Sequence, residues 1–353
     1  MANITILGAG AMGSAFTFPC IDRGHVVTLV GTHLEDNFID NIKKENNFHP
    51  TLKINIPNKV KLFKFENFAN VVSEKQDLIV LGINSKGIDW ASREISKNLN
   101  YAVPFLMLTK GLSVFRNKYE LLVDKMENLL SSNGYKDANI SVVGGPCLAS
   151  GLAHRVHSNV IFANKNIDVV YWLNNLLSTN YYHTSGTDDI IGVEVCAAIK
   201  NIFSMIIGAS EGLCSNQISS EFKKINYLNT SASILRQSIH EMEIFTEFLK
   251  GRKETVTGLA GLGDLFVSAS GGRNSKMGKF IGYGMTYKEA KKNKMPNETV
   301  EGAQLAFDIG SKLKNDFKLE QLPLMLSMVK TICDETKLEI QWNLFKEHFN
   351  KKK

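Results

Sequence analysis

The sequence contains few residues of the kinds that define fibrous, disulfide-bonded or metal-stabilised proteins. Only seven of its 353 residues are proline, which excludes collagen-like and proline-rich fibres. The five cysteines are odd in number and form no Cys-x-x-Cys pair, which argues against a disulfide framework and a structural zinc site. The eight histidines fall in no metal-binding spacing, so we expect no metal. Reduced cysteines and the lack of a charged signal-peptide leader predict a cytoplasmic protein.

A large excess of one charge is also absent. The formal net charge of +6 comes from 41 lysines and arginines against 35 acidic residues, and the excess is spread along the chain. This balance gives little support for a nucleic-acid partner and would suit a small anionic metabolite.

Long hydrophobic runs are limited to residues 190–209, where only Glu194 and Lys200 are charged. Each charge at the centre of a membrane helix costs about 2.5–3.5 kcal/mol, so two of them disfavour a membrane span. We therefore predict a buried helix of a soluble domain.

Short apolar runs alternate with helical segments in the first half of the chain. They are rich in Val, Ile and Leu at consecutive positions, which is typical of strands covered on both faces by helices. The runs lie at residues 4–7, 26–30, 77–83, 105–109, 140–145 and 159–163. We predict an α/β fold with a doubly wound, mostly parallel sheet over residues 1–185, with a loop at 46–58.

Strand patterns stop after about residue 185, and helical patterns take their place. They lie at 190–210, 226–250, 275–293, 299–314 and 321–335. The chain length favours two domains. The second, residues 186–353, is predicted to be all-helical and to serve substrate binding and dimerisation.

A glycine-rich segment follows the first predicted strand. Gly8-Ala9-Gly10-Ala11-Met12-Gly13 matches G-x-G-x-x-G between a strand and a helix. Gly8 permits the tight turn, Gly10 lets the backbone approach a pyrophosphate, and Gly13 allows close helix–strand packing. The helix amino terminus faces the phosphates. We predict a Rossmann-type domain that binds NAD or NADP.

The choice between the two nucleotides stays open. An acidic residue about twenty positions beyond the glycines would bind the ribose hydroxyls of NAD. The segment Gly31-Thr32-His33 occupies that position, and the acidic residues Glu35 and Asp36 lie further along the chain. The spacing therefore offers neither the NAD carboxylate nor an NADP arginine.

Two charged residues of the second half are candidates for chemistry. Lys200 lies on an apolar helix face, where a lysine must reach solvent, pair with an acid or take part in function. Asp264 ends the glycine-rich segment 258–264, where an aspartate also serves as a helix cap. Arg273 and Asn274 follow a second segment of small residues. The planar guanidinium of an arginine suits bidentate phosphate binding. The alternative interpretation is that Arg273 is an exposed loop residue without a function.

Several separated blocks together resemble the soluble NAD(P)-dependent glycerol-3-phosphate dehydrogenases, from Ile4 to about Gly302. The blocks are GAGAMG (8–13), LTKGL (108–112), GGPCLA (144–149), GVEVCAAIKN (192–201), NTSASILRQSIHEM (229–242), GLAGLGDL (258–265), GRN (272–274) and VEG (300–302). The resemblance implies a Rossmann-type domain followed by a helical domain, a homodimer, and interconversion of dihydroxyacetone phosphate and glycerol 3-phosphate. It also implies a supply of glycerol 3-phosphate for phospholipid synthesis.

The resemblance also implies roles for individual residues. Lys200 matches the catalytic lysine and Asp264 the active-site aspartate of the family. Cofactor contacts are implied for Gly8, Gly10, Ala11, Met12, Gly13, Thr32, Lys110, Ala149, Arg273 and Glu301. Substrate contacts are implied for Lys110, Gly145, Cys147, Lys200, Asn229, Asp264, Gly272, Arg273 and Asn274.

The chain departs from the family pattern at Cys147, Gly151, Ser231 and Gly272, which affects the expected substrate contacts. Two alternatives remain at this stage. A ketopantoate-reductase-like enzyme shares the opening motif, and Arg273-Asn274 argues against it. A non-catalytic dinucleotide sensor would keep only the Rossmann half, and the combination of Lys200 with Asp264 argues against that.

Overall fold

The computed structural model describes residues 1–136, 138–215 and 223–345, and its amino-terminal half is built on a large sheet. The strands are Asn3–Leu7 (β1), Val26–Val30 (β2), Phe48–His49 (β3), Ile54–Asn55 (β4), Lys61–Phe63 (β5), Leu78–Leu81 (β6), Phe105–Met107 (β7), Leu112–Phe115 (β8), Lys118–Leu121 (β9), Ile140–Gly144 (β10), Ser158–Ala163 (β11) and Tyr182–Thr187 (β12). Eight of them form one sheet in the order β12-β11-β10-β7-β6-β1-β2-β5.

Every neighbouring pair in this sheet is parallel except β10 and β11. The central strands β1, β2 and β6 are buried along nearly their whole length, as expected for strands covered on both faces. The predicted doubly wound, mostly parallel sheet is confirmed. Because the strand order reverses direction at β1, the crevice beside its carboxyl end is where such folds bind ligands.

Helices surround the sheet and make up most of the second half. They are Ala11–Asp22 (α1), Asp36–Lys44 (α2), Phe68–Ser73 (α3), Ile88–Asn98 (α4), Leu122–Ser132 (α5), Ala149–Ala153 (α6), Ile167–Leu177 (α7), Ile190–Leu213 (α8), Lys223–Phe248 (α9), Lys253–Thr257 (α10), Asp264–Ala269 (α11), Arg273–Gly282 (α12), Tyr287–Lys294 (α13), Glu301–Asp316 (α14) and Pro323–Cys333 (α15). The predicted helical second half is confirmed.

The chain divides into two compact units. The first comprises Met1–Gly111 and Glu120–Glu194, and the second comprises Leu112–Tyr119 and Val195–Lys353. The second unit therefore includes β8, a strand from the first half of the sequence. The domain boundary expected after residue 185 stays a prediction.

Several local expectations were wrong. The strands β5 and β12 had no strand pattern, because β5 has three residues and β12, at the sheet edge, is mostly polar. The expected loop at 46–58 contains the short pair β3 and β4. The expected helix at 275–293 is two helices, α12 and α13, separated by a turn in which Gly284 has φ +94°.

The long apolar helix α8 passes a length and hydropathy test for a membrane span, with a mean hydropathy of 1.9 in its most apolar window. However, 94% of that window is buried inside the protein, which is typical of a core helix.

Two carboxylates buried on long helices hold the amino termini of other helices. On α9, Glu241 accepts hydrogen bonds from the backbone N–H groups of Leu324 and Met325 at 2.8 Å each, where α15 begins. On α8, Glu194 accepts from Val123 N at 3.3 Å, where α5 begins. Such contacts satisfy amides that the helix itself leaves unpaired. Burial raises the pKa of both carboxyls to about 8.

Helices α8 and α12 of the second unit approach each other so closely that glycine is required at their contact. A Cβ added at Gly278 would lie 1.8 Å from the carbonyl oxygen of Met205, and one at Gly208 would lie 2.2 Å from that of Ser275. Both contacts are with backbone atoms, which have little room to move. This crossing fixes the position of α12 relative to α8.

We expect Gly278→Ala to lower the free energy of unfolding by about 1–3 kcal/mol, because overpacking forces the two helices apart. The measurement is the urea unfolding midpoint. Gly151→Ala is the control, since its Cβ would meet nothing closer than 3.8 Å. If the two variants unfold at the same urea concentration, the close crossing is not as tight as described.

Candidate active site

The predicted cofactor and substrate residues of the first unit follow parallel strands that are neighbours in the sheet. Because these strands run in one direction, the segments after them meet at one edge. Residues 8–13 follow β1, Thr32 follows β2, Lys110 follows β7, and Gly145, Cys147 and Ala149 follow β10. The structure thus places all of them at the carboxyl edge of the sheet.

The glycine loop has the geometry that a dinucleotide needs. Gly8 has φ +109°, and a Cβ there would lie 2.7 Å from the carbonyl oxygen of Gly82. A Cβ at Gly13 would lie 2.1 Å from the carbonyl oxygen of Gly8, so α1 packs directly on the turn. At Gly10 the nearest atom would be 3.9 Å away, which leaves space for a pyrophosphate to approach the backbone. The residues present therefore fit the cofactor.

The segment after β10 also contains a glycine that no other residue could replace without strain. Gly145 has φ +117°, and a Cβ there would lie 3.1 Å from the carbonyl oxygen of Asn159. Cys147 and Ala149 follow it and are half-buried, as is Lys110 after β7. Their implied contacts with substrate and cofactor stay predictions.

Glu35, which lies too far along the chain after β2 for the expected ribose position, contacts the glycine loop in the structure, and the choice between NAD and NADP stays open. The Glu35 carboxylate folds back onto the glycine loop, where its Oε2 accepts hydrogen bonds from Ala9 N at 3.0 Å and Thr32 N at 2.8 Å. Counting residues from the glycines missed Glu35 because the chain makes a turn there, with Glu35 N donating to Thr32 O at 2.9 Å. Thr32, the expected cofactor residue, thus helps to hold this carboxylate.

A buried ion pair forms the centre of the candidate site in the second unit. The ammonium of Lys200, on α8, donates to Oδ1 of Asp264, the first residue of α11, and only 8% and 5% of the two side chains are exposed. Lys200 Nζ also donates to Ser268 Oγ at 2.8 Å. The structure therefore brings together the two charged residues singled out in the second half and adds Ser268. Ser268 lies four residues after Asp264, one helical turn away, and that spacing could have identified it.

The glycine-rich segment before Asp264 is a π-helical turn, Leu259–Gly263. A Cβ at Gly261 within it would lie 2.0 Å from the carbonyl oxygen of Val256, so the turn is packed against α10. This packing fixes the position at which α11 begins. The glycines therefore determine where the Asp264 carboxylate lies.

The start of α12 brings the remaining predicted residues of the second unit together. Asn274 is buried, donates to Asn201 Oδ1 at 3.0 Å and accepts from Gly302 N at 2.9 Å, so it joins α12 to α8 and α14. Arg273 forms an exposed ion pair with Glu301, with Nη2 and Oε1 2.8 Å apart. Asn274 is thus bonded to the residue that follows Lys200 on α8.

Two predicted substrate residues of this unit have simpler surroundings. Gly272 precedes α12, and a Cβ there would lie 3.0 Å from the carbonyl oxygen of Ser268, which leaves little room for a side chain. Asn229 is exposed on α9, and its role stays a prediction.

Within the described ranges, no group of three or more His, Cys, Asp and Glu side chains could hold a metal ion.

A glycine loop at the point where the strand order reverses, together with a buried lysine–aspartate pair, defines an NAD(P)-dependent oxidoreductase. The chain belongs to the NAD-dependent glycerol-3-phosphate dehydrogenase family. The family's amino-terminal model matches residues 3–170 and its carboxyl-terminal model matches residues 189–341. These matches favour that family over both alternatives left open by the sequence.

Known proteins agree with this assignment. The chain is 29% identical over 321 residues to the NADP(+)-dependent glycerol-3-phosphate dehydrogenase of Archaeoglobus fulgidus, covering 90% of this chain and 92% of that protein. Solved structures of glycerol-3-phosphate dehydrogenase from Coxiella burnetii and Saccharomyces cerevisiae superpose with TM-scores of 0.77 and 0.80. Sequence identities are 24% and 20%, with 95% and 98% of this chain and 96% and 99% of theirs covered. The two structures establish the shared fold.

Proposed function

We propose that the protein interconverts dihydroxyacetone phosphate and glycerol 3-phosphate, with Lys200 as the catalytic acid and base. The buried Lys200–Asp264 pair carries this proposal, because a lysine in an apolar helix is costly unless it is paired. A nicotinamide cofactor held by the glycine loop would supply or accept the hydride.

Lys200 serves the carbonyl end of the substrate. Reduction builds negative charge on the carbonyl oxygen, and the ammonium Nζ stabilises that charge and donates its proton to it. Asp264 and Ser268 hold Nζ in one place, and the Asp264 carboxylate offsets the loss of hydration of the ammonium. In the reverse direction Nζ takes the proton from the hydroxyl.

Arg273 serves the phosphate end. Its guanidinium is at the first residue of α12, where helix amides also favour an anion. The exposed ion pair with Glu301 contributes about 0–1 kcal/mol, so Arg273 can exchange that partner for a phosphate at little cost. The implied roles of Lys110, Gly145, Cys147, Asn229 and Asn274 belong to the same proposal.

The cellular role is proposed from the chemistry of the product. Glycerol 3-phosphate is the backbone on which glycerophospholipids are built, so we assign the enzyme to phospholipid synthesis in the cytoplasm. The five cysteines of the chain are odd in number and form no Cys-x-x-Cys pair, which suits a reducing compartment.

Lys200→Ala is expected to lower kcat by at least about 10²–10³-fold, because the variant loses both charge stabilisation and the proton donor. Nicotinamide absorbance with dihydroxyacetone phosphate measures turnover, and fluorescence titration measures NAD(P)H binding, which should stay near the wild-type value. Lys276→Ala removes an exposed lysine of the same unit, one paired with Glu298, and is the control. If the Lys200→Ala variant kept half of the wild-type turnover, Lys200 would not be the catalytic acid and base.

Arg273→Ala is expected to lower kcat/KM for dihydroxyacetone phosphate about tenfold to a hundredfold, since hydrogen bonds to charged groups contribute about 1.5–3 kcal/mol each. Unphosphorylated dihydroxyacetone makes no such contact, so its slow reduction should fall much less. Arg273→Lys is the matched control, because it keeps the charge and loses the planar fork. An unchanged ratio of the two substrates' kcat/KM values would show that Arg273 does not bind the phosphate.

We also propose a homodimer. Exposed apolar side chains of the second unit support it, among them Phe266 at 63% and Phe307 at 49% exposure, because buried subunit contacts use such side chains. Sedimentation equilibrium at micromolar concentration should give twice the chain mass of 39.3 kDa. A monomer mass at that concentration would contradict the proposal.

A further inference from the structure

We propose that His157 and His183 form a binding site for a divalent transition-metal ion, with Cu²⁺ and Ni²⁺ preferred to Zn²⁺. The site lies within the first unit, and neither histidine belongs to the residues proposed to hold the cofactor or the substrate. The inference goes beyond the proposed function and does not depend on it.

The register of two strands brings the histidines together. β11 and β12 are parallel, and Asn159 of β11 is the partner of His183 on β12. His157 lies two residues before Asn159, so the side chains of all three are on the same face of the sheet. The two histidines are 26 residues apart in sequence, which is why their spacing matches no metal-binding motif.

The two imidazoles meet through ring nitrogens. Nδ1 of His157 lies 3.0 Å from Nε2 of His183. The ring planes differ by only 8°, and the ring centroids are 5.3 Å apart. Because the nitrogens are much closer than the ring centres, the rings face each other edge to edge, and only one proton fits between the nitrogens. At least one of the two facing nitrogens therefore carries a lone pair.

The separation of the nitrogens suits two ligands of one metal ion. Imidazole nitrogens bind such ions at about 2.0–2.1 Å, so two nitrogens 3.0 Å apart correspond to an angle of about 90° at the metal. Right angles are typical of tetragonal and square-planar Cu²⁺ and Ni²⁺ complexes, whereas Zn²⁺ prefers the wider tetrahedral angle. Nitrogen sites in general also bind Cu²⁺ more tightly than Zn²⁺.

Metal binding requires only local changes. The ion takes the place of the proton between the two nitrogens, and that proton moves to the outward nitrogen of its own ring. Both imidazoles then stay neutral, as metal ligands must be. Each ring has to turn to aim its lone pair at the ion, and the terminal torsion of histidine is broad enough to allow this. Both side chains are exposed, so water can fill the remaining positions around the ion.

The charges around the pair allow a cation to approach. Arg155, two residues before His157, has the nearest charge in sequence. Its Nε and Nη2 donate to the two carboxylate oxygens of Asp22 at 2.7 and 3.0 Å, so that charge is offset. The residues on either side of His183 in β12 carry no charge.

A metal ion at this place would brace one edge of the sheet. β12 is an edge strand, and the ion would link it to the beginning of β11. β11 also supports the segment after β10, because a Cβ at Gly145 would lie 3.1 Å from the carbonyl oxygen of Asn159. The two nitrogens are close only in the folded chain, so the bound ion stabilises the folded state.

The test is a calorimetric titration of the full-length, untagged protein with CuCl₂, NiCl₂ and ZnCl₂ in a buffer that does not chelate metals. We expect one site per chain at which Cu²⁺ binds most tightly. His157→Asn and His183→Asn should each weaken binding at least about tenfold, because the second nitrogen of a chelating pair binds at a high effective concentration. Electron paramagnetic resonance of bound Cu²⁺ should show two imidazole nitrogens in the wild type and one in each variant.

His154→Asn is the matched control. His154 is also exposed, lies three residues from His157, and has its Nδ1 2.8 Å from the carbonyl oxygen of Ser150. This variant should keep the wild-type affinity. Ni²⁺ should raise the midpoint of thermal unfolding of the wild type and of His154→Asn, and should leave those of His157→Asn and His183→Asn unchanged.

The contrary outcomes are distinct. Wild-type affinity in either His157→Asn or His183→Asn, or an equal loss of affinity in His154→Asn, would show that the two histidines do not chelate a metal. Tighter binding of Zn²⁺ than of Cu²⁺ would contradict the assigned geometry. None of these results bears on the proposed function, which is tested by turnover. Conversely, a wild type that does not reduce dihydroxyacetone phosphate but binds Cu²⁺ as described would support this inference alone.

Discussion

The burial of the Lys200 ammonium in an apolar helix is the constraint on which the second unit depends. An unpaired buried charge costs several kcal/mol, so Asp264 has to be held within reach of α8. The packed π-helical turn before Asp264 does this, and Ser268 adds a second acceptor one turn later. The next residue on α8, Asn201, binds Asn274 at the start of α12. Two consecutive residues of α8 thus hold the beginnings of two further helices.

The main features of the fold could be predicted from the sequence because its central elements are strongly patterned. Strands covered on both faces are continuous apolar runs, and β1, β2 and β6 are of this kind. Edge strands lack that signal, because one side of each is open to solvent and few of their residues are buried. This explains why β5 and β12 were missed.

The candidate site was predictable where a charge stands alone in an apolar segment. Lys200 was found in this way. The sequence identified Glu194 only as a charge that disfavours a membrane helix, and the structure shows that its carboxylate binds the start of α5. Glu35 was missed for a different reason. Sequence spacing measures distance along the chain, whereas the turn at Thr32 brings Glu35 back across the residues that precede it. A tight turn can thus restore a contact that residue counting excludes.

The second unit takes eight of its residues, Leu112–Tyr119, from the first half of the sequence. Within that unit β8 packs against α14, and the ring of Tyr119 contacts that of Phe245 edge-on and lies 5.1 Å from Lys312 Nζ. No single cut of the backbone can therefore release this unit with all of its residues. During synthesis β8 leaves the ribosome long before α14 does. The helical unit can therefore complete its core only after nearly the whole chain has been made.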